Sequence, residues 1–172
     1  MITTESLKLI PSTAEMLRAE INDPVELAQL LTALVPNNWP PETTVDALPF
    51  FLDCVESSSG QDGWYALNTK TNGNDPANLI GGGGFMGPPK NGTVQLGYSV
   101  IDQHQRKGYA TEIVGGLIRW AFRQSGCLGA IAETEWSNPA SARVLAKNSF
   151  VSAGPASTPG GTRFELTAPT SV

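Results

Sequence analysis

The residues best placed to do chemistry lie in one stretch, Val100-Ile101-Asp102-Gln103-His104-Gln105-Arg106-Lys107-Gly108-Tyr109-Ala110-Thr111-Glu112, which joins a strand-like segment to a helix-like one. A strand-to-helix junction presents unpaired backbone N–H groups at the positive end of the helix dipole. Gly108 and the small Ala110 let an anion approach that backbone closely, and Arg106 and Lys107 add positive charge beside it. Phosphate is the natural ligand for such a junction, although an ordinary strand-helix turn has the same local appearance. The segment lacks both the lysine of a nucleotide P-loop and the G-x-G-x-x-G of a dinucleotide site.

A second group of polar residues follows about 30 residues later, in Trp136-Ser137-Asn138-Pro139-Ala140-Ser141-Ala142-Arg143-Val144-Leu145. Asn138 before Pro139 makes a ready N-cap and first-position pair, with Ser141 in the first turn, so helix capping alone accounts for both. Glu133 and Glu135 stand at alternate positions of the preceding strand-like run and share one face.

These elements need a scaffold to position them. The chain has 172 residues, 40% of them hydrophobic, enough for one domain spanning 1–172 with a sizeable core. Sixteen acidic side chains stand against eleven basic ones, a formal net charge of -5 that argues against a nucleic-acid partner held through phosphates. No apolar run reaches the roughly 20 residues of a membrane span, and the N-terminus lacks a basic segment followed by an apolar one, so a cytoplasmic setting is expected. Cys54, Cys127 and the lone His104 have no metal-ligand spacing, and reduced cysteines are expected.

Leu7 to Ile10 reads as an edge strand, and Ser12-Thr13-Ala14-Glu15 as a capping box opening a helix with Met16, Leu17 and Ile21. Asp23 and Pro24 start a second helix, in which Leu27, Leu30, Leu31 and Leu34 form one buried face. A third covers residues 45 to 56. Trp64 to Asn68, Leu79 to Met86 and Thr93 to Ile101 then alternate with turn clusters, Asn72 to Pro76 and Lys90 to Gly92, as an antiparallel meander does. Ile113, Leu117 and Trp120 mark a core helix. Leu128 to Trp136 reads as a strand, Pro139 to Asn148 as a helix, and Phe150 to Ala153 with Thr162 to Thr167 as closing strands around Pro159-Gly160-Gly161.

Gln105-x-x-Gly108-x-Ala110 resembles the Q/R-x-x-G-x-G/A signature of the GNAT acetyltransferase superfamily, in which this loop wraps the pyrophosphate of coenzyme A. Leu96 to Val100 is similar to that family's fourth strand. Asn138 to Leu145 with Phe150 resembles the N-x-x-S-x-x-v-L...F segment of its Rim-type branch, which acetylates protein N-termini among other amines. The resemblance runs from about Leu7 to Thr167, with the segment from 12 to 60 alike only in its helical layout.

It implies an α/β (α+β) fold: a single GNAT domain with a mixed, mostly antiparallel sheet of six or seven strands, helices on both faces and a splayed central strand pair. It also implies an N-acetyltransferase using acetyl-CoA as co-substrate, with no metal, acting on a primary amine of a small molecule or a protein N-terminus. A homodimer is compatible with it. Gln105, Arg106, Lys107, Gly108, Tyr109, Ala110 and Thr111 would hold the phosphates, while Tyr98 and Val100 would offer main-chain groups to the pantetheine arm. Asn138 would contact that arm as well, and Ser141 would protonate the departing sulfur.

The chain departs from the family pattern in three places. Leu145 stands where many relatives carry a tyrosine, Gln95 where many carry a glutamate, and Ser149 where a glycine is usual. Glu133 and Glu135 are left as candidate bases acting through water. A non-catalytic acyl-CoA-binding or regulatory module of the same fold is the alternative reading.

His104 reads as a solvated loop residue, Gly81 to Gly84 as a site of close backbone packing, and Trp39 and Trp64 as either acceptor-pocket walls or core.

Overall fold

The computed structural model describes residues 1–57, 63–69, 76–86 and 90–169; most of the Asn72 to Pro76 turn cluster lies outside them. Its strands are β1 (Ile2–Thr3), β2 (Leu7–Pro11), β3 (Ala33–Leu34), β4 (Gly63–Asn68), β5 (Ala77–Phe85), β6 (Thr93–Val100), β7 (Gly129–Glu135), β8 (Val151–Pro155) and β9 (Gly161–Thr167). The helices are α1 (Ala14–Asn22), α2 (Pro24–Leu31), α3 (Glu42–Val45), α4 (Leu48–Ser57), α5 (Tyr109–Ala121) and α6 (Pro139–Lys147). The expected α/β fold is present. Its sheet runs β1-β2-β4-β5-β6-β7-β9-β8, with β3 added in parallel beside β5. The two strands beyond the expected seven, β1 and β3, have two residues each and carry no readable alternation. Because β1 pairs outside it, β2 is not the edge.

Helices cover both faces because the strands bury side chains on both. Leu7, Leu9, Ala66 and Ile80 pack with Ile113, Val114 and Leu117 of α5 on one side. On the other, Tyr65, Leu67 and Leu79 pack with Ala19, Leu27 and Leu31 of α1 and α2. Asp23 caps α2 as expected, its Oδ1 accepting from the N–H groups of Val25 and Glu26 at 3.0 and 3.2 Å. The α1 cap is Thr13, not Ser12: Thr13 Oγ1 accepts from Met16 N–H, while Ser12 Oγ donates to the Gly63 carbonyl. Leu34 leaves the expected buried face, since Thr32 turns left-handed at φ 50° and ends α2, placing Leu34 half exposed in β3.

The meander β4-β5-β6 is antiparallel throughout, whereas β6 and β7 run parallel. Gly81 to Gly84 lie in β5, and a Cβ on Gly81 would stand 2.4 Å from the Ser99 carbonyl oxygen, so close backbone packing explains the glycine there. Both cysteines are free. No helix among the described residues is long and apolar enough to cross a membrane.

Candidate active site

Pairing between β6 and β7 covers only Thr93↔Gly129, Val94↔Ala130 and Gln95↔Ile131; beyond it the two strands separate. Backbone groups of alternate strand residues point to opposite edges. Gln95 O accepts from Met86 N–H and Ile101 N–H donates to Ile80 O, so the odd-numbered residues of β6 bond towards β5. Leu96, Tyr98 and Val100 therefore turn their main-chain groups to the open side. The expected splayed pair is present, with Tyr98 and Val100 on its edge. Part of that edge is occupied from within, because Gln105 Nε2 donates to Val100 O at 3.0 Å and to Asp102 Oδ1 at 2.8 Å. Gln105 thus braces the loop with its side chain.

At the end of β6 a short 3-10 turn, Asp102–His104, leads into α5. Arg106 and Gly108 both take positive φ, 61° and 87°, which folds the chain so that successive N–H groups converge. No hydrogen bond among the described residues uses the N–H of Arg106, Lys107, Gly108, Tyr109, Ala110 or Thr111. A Cβ on Gly108 would meet nothing within 4 Å. This is a partly exposed ring of free donors at the positive end of a 13-residue helix, with two cationic side chains beside it, and it fits a diphosphate. His104 is not the solvated residue expected: its ring lies 6.1 Å from that of Tyr109, Nδ1 is buried without a partner, and burial followed by the charge of Lys107 holds its pKa below the usual value.

Asn138 caps α6, its Oδ1 accepting from Ser141 N–H at 3.0 Å. Ser141 has another partner. Its Oγ lies 2.8 Å from the Tyr98 hydroxyl, which also reaches the Ser141 carbonyl at 3.3 Å. The expectation for Tyr98 concerned its backbone alone, so this side-chain bridge between β6 and α6 is new. Burial raises the Tyr98 pKa, and the Ser141 hydrogen bond partly offsets it, so the phenol stays protonated near neutrality. Leu145 is fully buried. The phenol that β6 brings to α6 meets it at Ser141, one turn before Leu145.

Glu133 and Glu135 share the face of the sheet that carries Gln95, Gly97 and Ser99. Neither lines the cavity described next. Glu133 accepts from both N–H and Oγ of Ser157, and Glu135 from Ser137 Oγ.

A cavity of about 250 Å³ opens over that same face, between the sheet and the segment containing α1 and α4. Its floor is nearly free of side chains: Gly82, Gly84 and Gly97, with Ser99. Leu17, Leu48, Phe51 and Trp39 wall it, and Glu20 with Tyr65 supply polar groups. Trp39 takes the pocket-wall role. Trp64 is mainly core, its ring 4.8 Å from Trp120 and 5.8 Å from Phe85. Glu20 is 8% exposed, and its Oε2 accepts from the Tyr65 hydroxyl at 2.6 Å. Burial raises its pKa; the Tyr65 hydrogen bond and the nearby Trp39 N–H favour the charged form, although that N–H makes no hydrogen bond of normal geometry. Glu20 escaped the sequence reading because one glutamate in a short amphipathic helix looks like a solvated charge. No group of three metal-ligating side chains occurs among the described residues.

Residues 11–151 match the acetyltransferase (GNAT) domain family. The uncharacterized N-acetyltransferase YjdG of Bacillus subtilis (strain 168) is 30% identical over 117 residues, 66% of this chain and 67% of that one. The uncharacterized N-acetyltransferase YoaA of the same organism is 34% identical over 83 residues, 46% of each chain. Among solved structures, a GNAT-family acetyltransferase from Bacillus anthracis superposes with a TM-score of 0.65 at 17% identity, covering 97% of this chain and 98% of that one. RimL, a ribosomal L7/L12 α-N-protein acetyltransferase in complex with coenzyme A, superposes with a TM-score of 0.62 at 17% identity over 95% of each chain. With the splayed β6-β7 pair, the donor ring before α5 and a family match over most of its length, the chain belongs to the GNAT acetyltransferase family and is an acyl-CoA-dependent N-acetyltransferase.

Proposed function

We propose that the chain transfers the acetyl group of acetyl-CoA directly to a primary amine that enters through the cavity over Gly82 and Gly97. The observation that carries this reading is the continuity of the cavity with the open edge of β6: Tyr98 lines the cavity and turns its main-chain groups to that edge, between Gly97 and Ser99 of the cavity floor. Acetyl-CoA brings an activated thioester; the protein holds and orients it. The N–H groups from Arg106 to Thr111, with the Arg106 and Lys107 side chains, take the diphosphate. Gln105 shapes the loop. The free main-chain groups of Tyr98 and Val100 line the pantetheine path, and Asn138, whose Oδ1 caps α6, has its amide N–H groups left for it.

The amine nitrogen attacks the thioester carbonyl carbon, the carbon–sulfur bond breaks, and sulfur takes a proton from the Tyr98–Ser141 hydroxyl pair. A donor matters there because the sulfur gains charge only as the bond breaks. Tyr98→Phe and Ser141→Ala are each expected to lower kcat by roughly 100-fold or more, with little change in acetyl-CoA affinity. Thiol-release kinetics beside calorimetric titration would separate the two effects. A pair of variants with parental kcat would remove the hydroxyl pair from the reaction.

The proton lost by the amine leaves through water towards Glu133 and Glu135, the carboxylates on that face of the sheet. Glu133→Gln and Glu135→Gln should depress the rate most at low pH, where less of the amine is already neutral. Equal rates of parent and variants across pH would leave the orientation of a neutral amine as the working principle. The reading as a whole is tested by thiol release over a broad amine panel, of both small molecules and peptide N-termini; binding of acetyl-CoA with no transfer to any of them would overturn it.

A further inference from the structure

The cavity has two ends of different chemistry. One meets the open edge of β6, and the other holds the Glu20 carboxyl. Tyr65, which donates to Glu20, is in register with Gly82, and Gly82 with Ser99. Two interstrand steps place Tyr65 about 10 Å from Ser99, and the edge where transfer occurs lies on the far side of β6 again. A base must come within hydrogen-bond reach of the proton it removes, so Glu20 stands too far from the reacting nitrogen to serve as one.

Glu20 nevertheless has the marks of a group awaiting a partner. It is one of three buried polar or charged residues among those described, with Ser6 and Asn68. Among the described residues its side chain has a neutral hydroxyl as hydrogen-bond donor and no cation in an ion pair. A buried carboxylate with no cation is unfavourable, and a ligand that brings the cation removes that penalty. Between the two ends the cavity offers Leu48, Phe51 and the bare glycine floor, which suit hydrocarbon.

We propose that Glu20 is a specificity-determining residue that receives a second, cationic group of the acceptor, so that the preferred acceptor is a diamine whose nitrogens are separated by at least about 10 Å of apolar chain. This rests on the cavity being the acceptor site.

The test compares α,ω-diaminoalkanes of increasing length with monoamines of the same length. KM and kcat are measured for transfer, and affinity is measured by calorimetric titration into the protein loaded with coenzyme A. Diamines of matching length should show KM and Kd values at least about 30-fold lower than their monoamine counterparts. Glu20→Gln, which can still accept from Tyr65, should bring the diamine values to those of the monoamines. Equal values for diamine and monoamine in the parent protein overturn the proposal and need no variant, and so does a preference that survives in a folded Glu20→Gln protein. Failure of all acetyl transfer would overturn the acetyltransferase reading alone, because the titration reads the Glu20 end without turnover.

Discussion

Replacing Gly108 with glutamate is expected to abolish useful acetyl-CoA binding while the domain stays folded. Two effects add. At φ 87° the residue occupies backbone space that side-chain-bearing residues enter at a cost of about 1–2 kcal/mol. A carboxylate beside the free N–H groups then occupies the donors and repels the diphosphate, for a further loss of several kcal/mol, on the order of an unpaired charge in a binding site. Affinity should fall at least about 100-fold, on a conservative total of roughly 3 kcal/mol. Gly108→Ala separates the two: its Cβ meets nothing within 4 Å, so only the backbone term remains. Calorimetric titration with acetyl-CoA, beside a thermal melt of each variant, provides the comparison. A folded Gly108→Glu protein with parental affinity would move the diphosphate away from this loop.

Gly97→Leu is expected to stop transfer to the acceptor without weakening the cofactor. The backbone of Gly97 bonds towards β5, so it takes no part in the open edge, and a Cβ there would meet no atom within 4 Å. The new side chain would stand in the cavity on the path from its wall to the edge of β6. Displacing a reacting atom by about 1 Å can cost about 100-fold in rate, and a leucine displaces it further, so acceptor turnover should fall by at least that factor. Thermal stability should hold or rise, since glycine within a strand is itself unfavourable by about 0.5–1 kcal/mol. The check is kcat/KM for the best amine, with acetyl-CoA affinity measured separately. Parental turnover with Gly97→Leu would show that the acceptor arrives by another route.

The two substitutions differ in how far they were legible. The Gly108 loop reads directly from the chain because its chemistry is local: one glycine, a small residue two positions on and the start of a helix are contiguous, and together they determine where the free N–H groups point. Asp23 with Pro24 was legible for the same reason, and so was the Asn138 cap. Thr32 hid its turn, since a threonine at positive φ has no glycine or asparagine to announce it, and Leu34 was therefore expected in the helix. The bond from Gln105 to Val100 is not legible in the chain, because it depends on how the backbone doubles back through the 3-10 turn.

The two side-chain hydroxyl pairs that tie the sheet to its helices are each more than 40 residues apart in sequence. Tyr98 meets Ser141 across 43 residues, and Glu20 meets Tyr65 across 45. In one dimension Tyr98 is a strand residue in an apolar alternation, and Glu20 is a polar residue in a short amphipathic helix. The sequence by itself determined the α/β layout and the glycine turn that opens α5, because helix starts, strand alternation and glycine turns are set by near neighbours. Only the tertiary structure decided which carboxylate is buried, which hydroxyls meet between β6 and α6, and that the glycine run in β5 floors a cavity. Those outcomes depend on strand register and on which helix lies over which face, and burial and hydrogen bonding between distant residues exist only after the sheet has assembled.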